Sequence, residues 1–82
     1  MFTDIERHIL LKMIDHGYIG GRHTAVEELP KGLPSHMKGE AVKAVKQLVK
    51  QGWLIPKITS YGLHVSIDPT KIPEIEKLLK EI

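Results

Sequence analysis

The 82-residue chain has no cysteine, which removes disulfide frameworks, thiolate metal sites and thiol nucleophiles and suits a reducing compartment. It has no unbroken apolar run of membrane-spanning length. Its first residues, Met1-Phe2-Thr3-Asp4-Ile5-Glu6, are acidic where a secretory leader is basic. A cytoplasmic protein without a membrane partner is expected. Internal repeats, linkers and low-complexity stretches are absent, so residues 1–82 read as one domain. Neither HExxH nor a Cys/His ligand spacing occurs, and His8 and His16 stand too far apart on one helix to share an ion. Only a fold that joins the second helix, the third helix and the hairpin can bring His23, His36 and His64 together. Ser35, Ser60 and Ser66 lack the setting of an activated nucleophile, and no carboxylate pair marks a cleft. These absences predict a protein that is not an enzyme and needs neither cofactor nor metal.

What is present is ordinary for a soluble globular domain, with 41% hydrophobic and 27% charged residues. The formal net charge is only +2, but it is unevenly placed. Residues 22–66 hold Arg22, Lys31, Lys38, Lys43, Lys46, Lys50 and Lys57 against Glu27, Glu28 and Glu40, a net +4, while each flank is slightly acidic. One basic face on a balanced body is the expectation, with Lys38, Lys43, Lys46 and Lys50 projecting outward together beside Lys57.

Apolar spacing and turn residues give the element order. Thr3-Asp4-Ile5-Glu6 has the form of a capping box and opens a helix to about His16, with Ile5, Ile9, Leu10, Met13 and Ile14 inward and Gly17 as its stop. A second box, Thr24-Ala25-Val26-Glu27, predicts a short second helix ended by Pro30. Pro34 suits the first position of a third helix running to about Gln51. That helix buries Met37, Ala41, Val42, Ala44, Val45, Leu48 and Val49 and ends at Gly52. From Trp53 the period drops to two: Leu54, Pro56 and Ile58, then Leu63, Val65 and Ile67, predict the strands of a hairpin turning through Thr59-Ser60-Tyr61-Gly62. Asp68-Pro69 closes it. A last helix from about Thr70 or Pro73 to Glu81 buries Ile75, Leu78, Leu79 and Ile82, against the first helix or across a homodimer seam formed by either helix.

This order resembles the winged helix-turn-helix superfamily over about residues 3–67. The more specific passage is Ala41-Val42-Lys43-Ala44-Val45-Lys46-Gln47-Leu48-Val49-Lys50-Gln51-Gly52-Trp53-Leu54, in which Leu48, Gly52 and Trp53-Leu54 are similar to the end of a family recognition helix entering its wing; Thr24-Ala25-Val26-Glu27-Glu28-Leu29 adds to the likeness. The general look is that of small winged-helix proteins common in archaea. The resemblance implies an α+β fold of three helices, a two-stranded β-hairpin wing and a C-terminal helix. It also implies a transcription regulator or DNA-associated factor, with nucleic acid as partner and duplex DNA ahead of RNA. Arginine is absent from the third helix and the wing, where family wings often use it.

On that pattern the third helix offers Ser35, His36, Lys38 and Gly39 at its start, with Gly39, Lys43, Lys46 and Lys50 continuing as one stripe opposite the apolar face. Lysine is a flexible point charge, better suited to phosphate than to reading guanine edges. The same spacing also describes a solvated helix face with Glu40 as partner. Gly39 costs the helix up to about 1 kcal/mol relative to alanine, and either close backbone approach or a tight helix crossing accounts for it. The wing offers Lys57, Thr59, Ser60, Tyr61 and His64, with donors for phosphate and sugar oxygens and a ring for stacking; Ser, Tyr and Gly are also plain turn residues. Arg22, His23 and Thr24 stand where the second helix should begin, a place that favours an anion. Trp53 reads as core at the root of the wing. The rival to nucleic acid is a protein-interaction subunit of a larger assembly.

Overall fold

Thr3 caps the first helix as its sequence demands. In a computed structural model that describes residues 1–81, helix α1 spans Asp4–His16. The Thr3 hydroxyl accepts from the Glu6 amide at 3.1 Å and the Glu6 carboxylate accepts from the Thr3 amide at 2.8 Å. The helix buries Ile9, Leu10 and Met13 beside the capping Glu6, with Ile5 and Ile14 half-buried. At its end Gly17 takes a φ of 73°, which lets the Gly17 and Tyr18 amides turn back to the carbonyls of Ile14 and Met13.

Beyond Gly17 the expected second helix is replaced by strand pairing. The Ile67 amide donates to the Tyr18 carbonyl and the Gly20 amide to the Ile67 carbonyl, each at 2.9 Å. Strand β1 (Thr24–Ala25) then pairs antiparallel with Val65 and His64. Thr24 is buried in this sheet and caps nothing; the helix shrinks to a 3-10 turn at Val26–Glu28, preceded by Ala25, which has no capping side chain. A side-chain cap contributes about 1 kcal/mol. Here that local preference loses to satisfying the hairpin's open edge and burying Val26 and Leu29. The described residues therefore form one strand more and one α-helix fewer than the pattern suggests.

Pro34 leads into a 3-10 turn, Ser35–Met37, and helix α2 covers Lys38–Lys50, a later α-helical start than Pro34 implied. Ala41, Val45 and Leu48 face the core. Gly52, at φ 87°, ends the helix as Gly17 ends α1: its amide reaches the Val49 carbonyl and that of Trp53 reaches Leu48. Strands β2 (Leu54–Thr59) and β3 (Gly62–Ile67) pair in register from Leu54 opposite Ile67 to Thr59 opposite Gly62. Gly62 carries the expected positive φ, 114°. Among the described residues the fold is α+β, with three α-helices and a three-stranded antiparallel sheet in the order β1-β3-β2. β3 is central, and β2 is an edge strand carrying Pro56.

After a 3-10 turn at Pro69–Lys71, helix α3 (Ile72–Lys80) lays Ile75 and Leu79 into the core with Leu78 half-buried. Ile82, expected on the same face, lies outside the described residues. The Arg7 guanidinium donates to the carbonyls of Leu79 at 2.6 Å and Glu81 at 3.3 Å, tying α3 to α1. Ile75 and Leu79 are thus covered within the chain. One core joins α1, α2, α3 and the inner face of the sheet through Leu54, Val65 and Ile67, and Trp53 meets Phe2 edge-on with ring centroids 5.4 Å apart. The inward pattern expected of β2 stops at Leu54. Pro56 is exposed and Ile58 is 87% exposed, because the hairpin runs out past the body.

Candidate nucleic-acid interface

The lysines of α2 occupy the side that the core leaves free. With 3.6 residues per turn, Gly39, Lys43, Lys46 and Lys50 fall within about 60° of one another around the axis, opposite Ala41, Val45 and Leu48. All four are exposed. Among the described residues the one ion pair is Lys31–Glu28 at 2.7 Å, so neither Glu40 nor any other described carboxylate neutralises the stripe at contact distance. Gly39 has open space where a Cβ would stand. A tight helix crossing therefore does not explain it.

Lys38 is exposed but departs from this set. As first residue of α2 it sits about 80° or more round the axis from each stripe lysine. Ser35 and His36 are exposed in the 3-10 turn just before it.

The sheet divides the remaining residues. Leu54 and Val65 point to the core, so the alternation along β2 and β3 puts Lys57 and its cross-strand partner His64 on the outer face, away from α2. Lys57 and the α2 stripe consequently belong to different faces, a correction to reading them as one patch. Ala25 pairs with His64, and His23, two residues earlier, comes to the same outer side. The Nδ1 atoms of His23 and His64 are 2.8 Å apart, with the rings edge to face at 4.8 Å. One ring must donate and the other accept, so the two carry opposite tautomers at Nδ1. Desolvation, then the charges of Lys57 and His64, hold the His23 pKa below its ordinary 6.5. His36 takes no part. Among the described residues no group of three or more His, Cys, Asp or Glu could hold a metal ion.

At the tip of the hairpin Thr59 closes the turn, its hydroxyl donating to the Gly62 carbonyl at 2.9 Å and accepting from the Tyr61 amide at 3.1 Å. Ser60 is exposed and Tyr61 is 87% exposed. The anion site expected at Arg22, His23 and Thr24 is not formed as such, since no helix begins there. Arg22 instead lies over the Tyr18 ring, 5.8 Å from its centroid, and Tyr18 stacks with His16.

Two features escaped the sequence. Lys12 donates to the carbonyls of Lys31 at 2.8 Å, Glu28 at 3.2 Å and Leu29 at 3.3 Å, clamping the 3-10 turn onto α1. Nothing in its local pattern sets it apart from a surface lysine. The His23–His64 bond joins the residue before β1 to β3, and only the pairing of the Thr24 strand reveals it. No helix among the described residues is long and apolar enough to cross a membrane. Comparison of the chain with protein-family models, curated proteins and solved structures gives no match.

Proposed function

We propose that this is a nucleic-acid-binding domain of winged-helix type that lays α2 along duplex DNA and holds it chiefly by phosphate contacts. The observation that carries the reading is the exposed row Lys43, Lys46 and Lys50, free of ion pairs among the described residues and leading through Gly39 to an open helix start. The order helix, strand, turn, helix and hairpin, and the sheet order β1-β3-β2, support the winged-helix assignment. The support element before α2 is reduced to a 3-10 turn. With lysine in place of arginine, binding is mostly electrostatic and weakly selective. Titration of a labelled duplex at low and moderate salt tests it: affinity falls steeply as salt rises, by about 0.9 in the logarithmic slope per phosphate contact. No binding at low salt overturns the reading. Parallel titration of duplex RNA separates the two polynucleotides.

A second reading, a protein-interaction module, draws on Ile58 and Tyr61, each 87% exposed, with Ile55 at 43% on the same strand as Ile58. Its mark is a partner interaction lost in Ile58→Ser with duplex binding unchanged.

A further inference from the structure

We propose that His23, His64 and Lys57 form a proton-gated seat for a phosphate group on the outer face of the sheet, separate from the α2 lysines. The placement carries it. β2 brings Lys57 directly opposite His64, β1 delivers His23 to the other side of His64, and the two imidazoles meet at 2.8 Å through Nδ1. Three groups able to carry positive charge thus stand side by side on a surface that faces away from the core. The charges acting on His23 are those of Lys57 and His64, both unfavourable to its cation. From the adjoining segment Arg22 adds a further cation, turned toward Tyr18. Following β1, Glu28 is engaged with Lys31 and Glu27 is exposed. No carboxylate pairs with either histidine among the described residues.

In the neutral pair one Nδ1–H is spent on the neighbouring ring. That satisfies both nitrogens and leaves only Lys57 as a charge. Protonation of one ring adds a cation beside Lys57, and protonation of both breaks the shared bond and frees two N–H donors. That state is costly alone because like charges crowd together. A dianionic or diester phosphate placed among the three groups removes the repulsion and accepts from the freed donors, so ligand and proton bind together. The seat needs no contact from α2, and it stands or falls independently of the duplex reading.

The test uses two probes whose charge is constant between about pH 8 and 5.5, the range in which histidine titrates. Inorganic sulfate stands in for a free phosphate, and a short duplex presents phosphodiesters. Sulfate added at about pH 6 is expected to shift the imidazole NMR signals of His23 and His64 and to do little at about pH 8. Lys57→Gln, at an exposed position that leaves the fold intact, and His64→Gln should both abolish the response, while His36→Gln keeps it. If the seat takes backbone phosphate, duplex affinity also rises by up to about tenfold per pH unit on acidification, in the parent and not in His64→Gln. A sulfate response with no such rise identifies a free phosphate compound as the ligand. Histidine signals indifferent to sulfate at both pH values, or a response that survives Lys57→Gln, overturn the seat. Replacing the α2 lysines and finding the sulfate response intact shows that the two surfaces are distinct.

Discussion

The α2 stripe and the outer face of the sheet are both cationic, but they come by their charge differently. On α2, three exposed lysines project from the side opposite the core contacts of Ala41, Val45 and Leu48. On the sheet, His23, just before β1, and His64 of β3 bond to each other, so that on the proposal above any charge gained there comes at the expense of this contact. A surface whose charges are detached from the core can be altered without structural cost. A surface built from paired side chains couples binding to conformation.

Three variants and a pH series sharpen that contrast. The largest effect is expected from the triple change of Lys43, Lys46 and Lys50 to Gln, which should lower duplex affinity at low salt by at least about tenfold and flatten the salt dependence by nearly 0.9 per lost contact. Its thermal midpoint should match the parent's. A midpoint well below the parent's would falsify the claim that these lysines are detached from the fold. Lys12→Met is the counterpart, a lysine whose loss is structural. Leaving the carbonyls of Glu28, Leu29 and Lys31 without their shared donor should cost about 1–3 kcal/mol in urea unfolding, with little change in duplex affinity. Gly39→Ala has the opposite sign. It should add up to about 1 kcal/mol of stability, because an open, exposed helical site accepts the methyl group. If duplex affinity drops at the same time, Gly39 is where a backbone comes close.

The smallest effect concerns pH. Because His23 in the folded chain holds its proton less tightly than at its ordinary 6.5, the unfolded chain takes up more protons below that value. Stability is therefore complete above 6.5 and declines as pH falls below it, and His23→Gln should remove this step. Asp68, whose carboxylate accepts from the Thr70 amide and hydroxyl, has a pKa below its ordinary 3.8. Its contribution is present above 3.8 and disappears as pH falls through the lowered value, giving a second, separate decline. Chemical denaturation followed across pH resolves the two steps.

The same contrast marks how much the sequence disclosed. Helices α1 and α2, their glycine stops, the hairpin with Gly62 and the lysine stripe all follow from spacings within a few residues, where local geometry decides. Thr24 shows the limit: its four-residue signature suits a helix start, yet its fate was set by Val65, far along the chain, which needed an edge partner. The His23–His64 contact was illegible for that reason. Ile58 misled in another way, because its period-two pattern continues beyond the point where there is any core left to face. Lys12 was silent, since a side chain that anchors distant carbonyls has no periodic signature.

Pro56, midway along the edge strand, cannot donate an amide hydrogen, and Lys57 beside it sets a charge on the rim. An incoming strand would find its ladder interrupted just where pairing should take hold. Fibril-like stacking of hairpins is thereby discouraged, and β2 can extend into solvent with Ile58 bare without recruiting neighbouring molecules through its backbone.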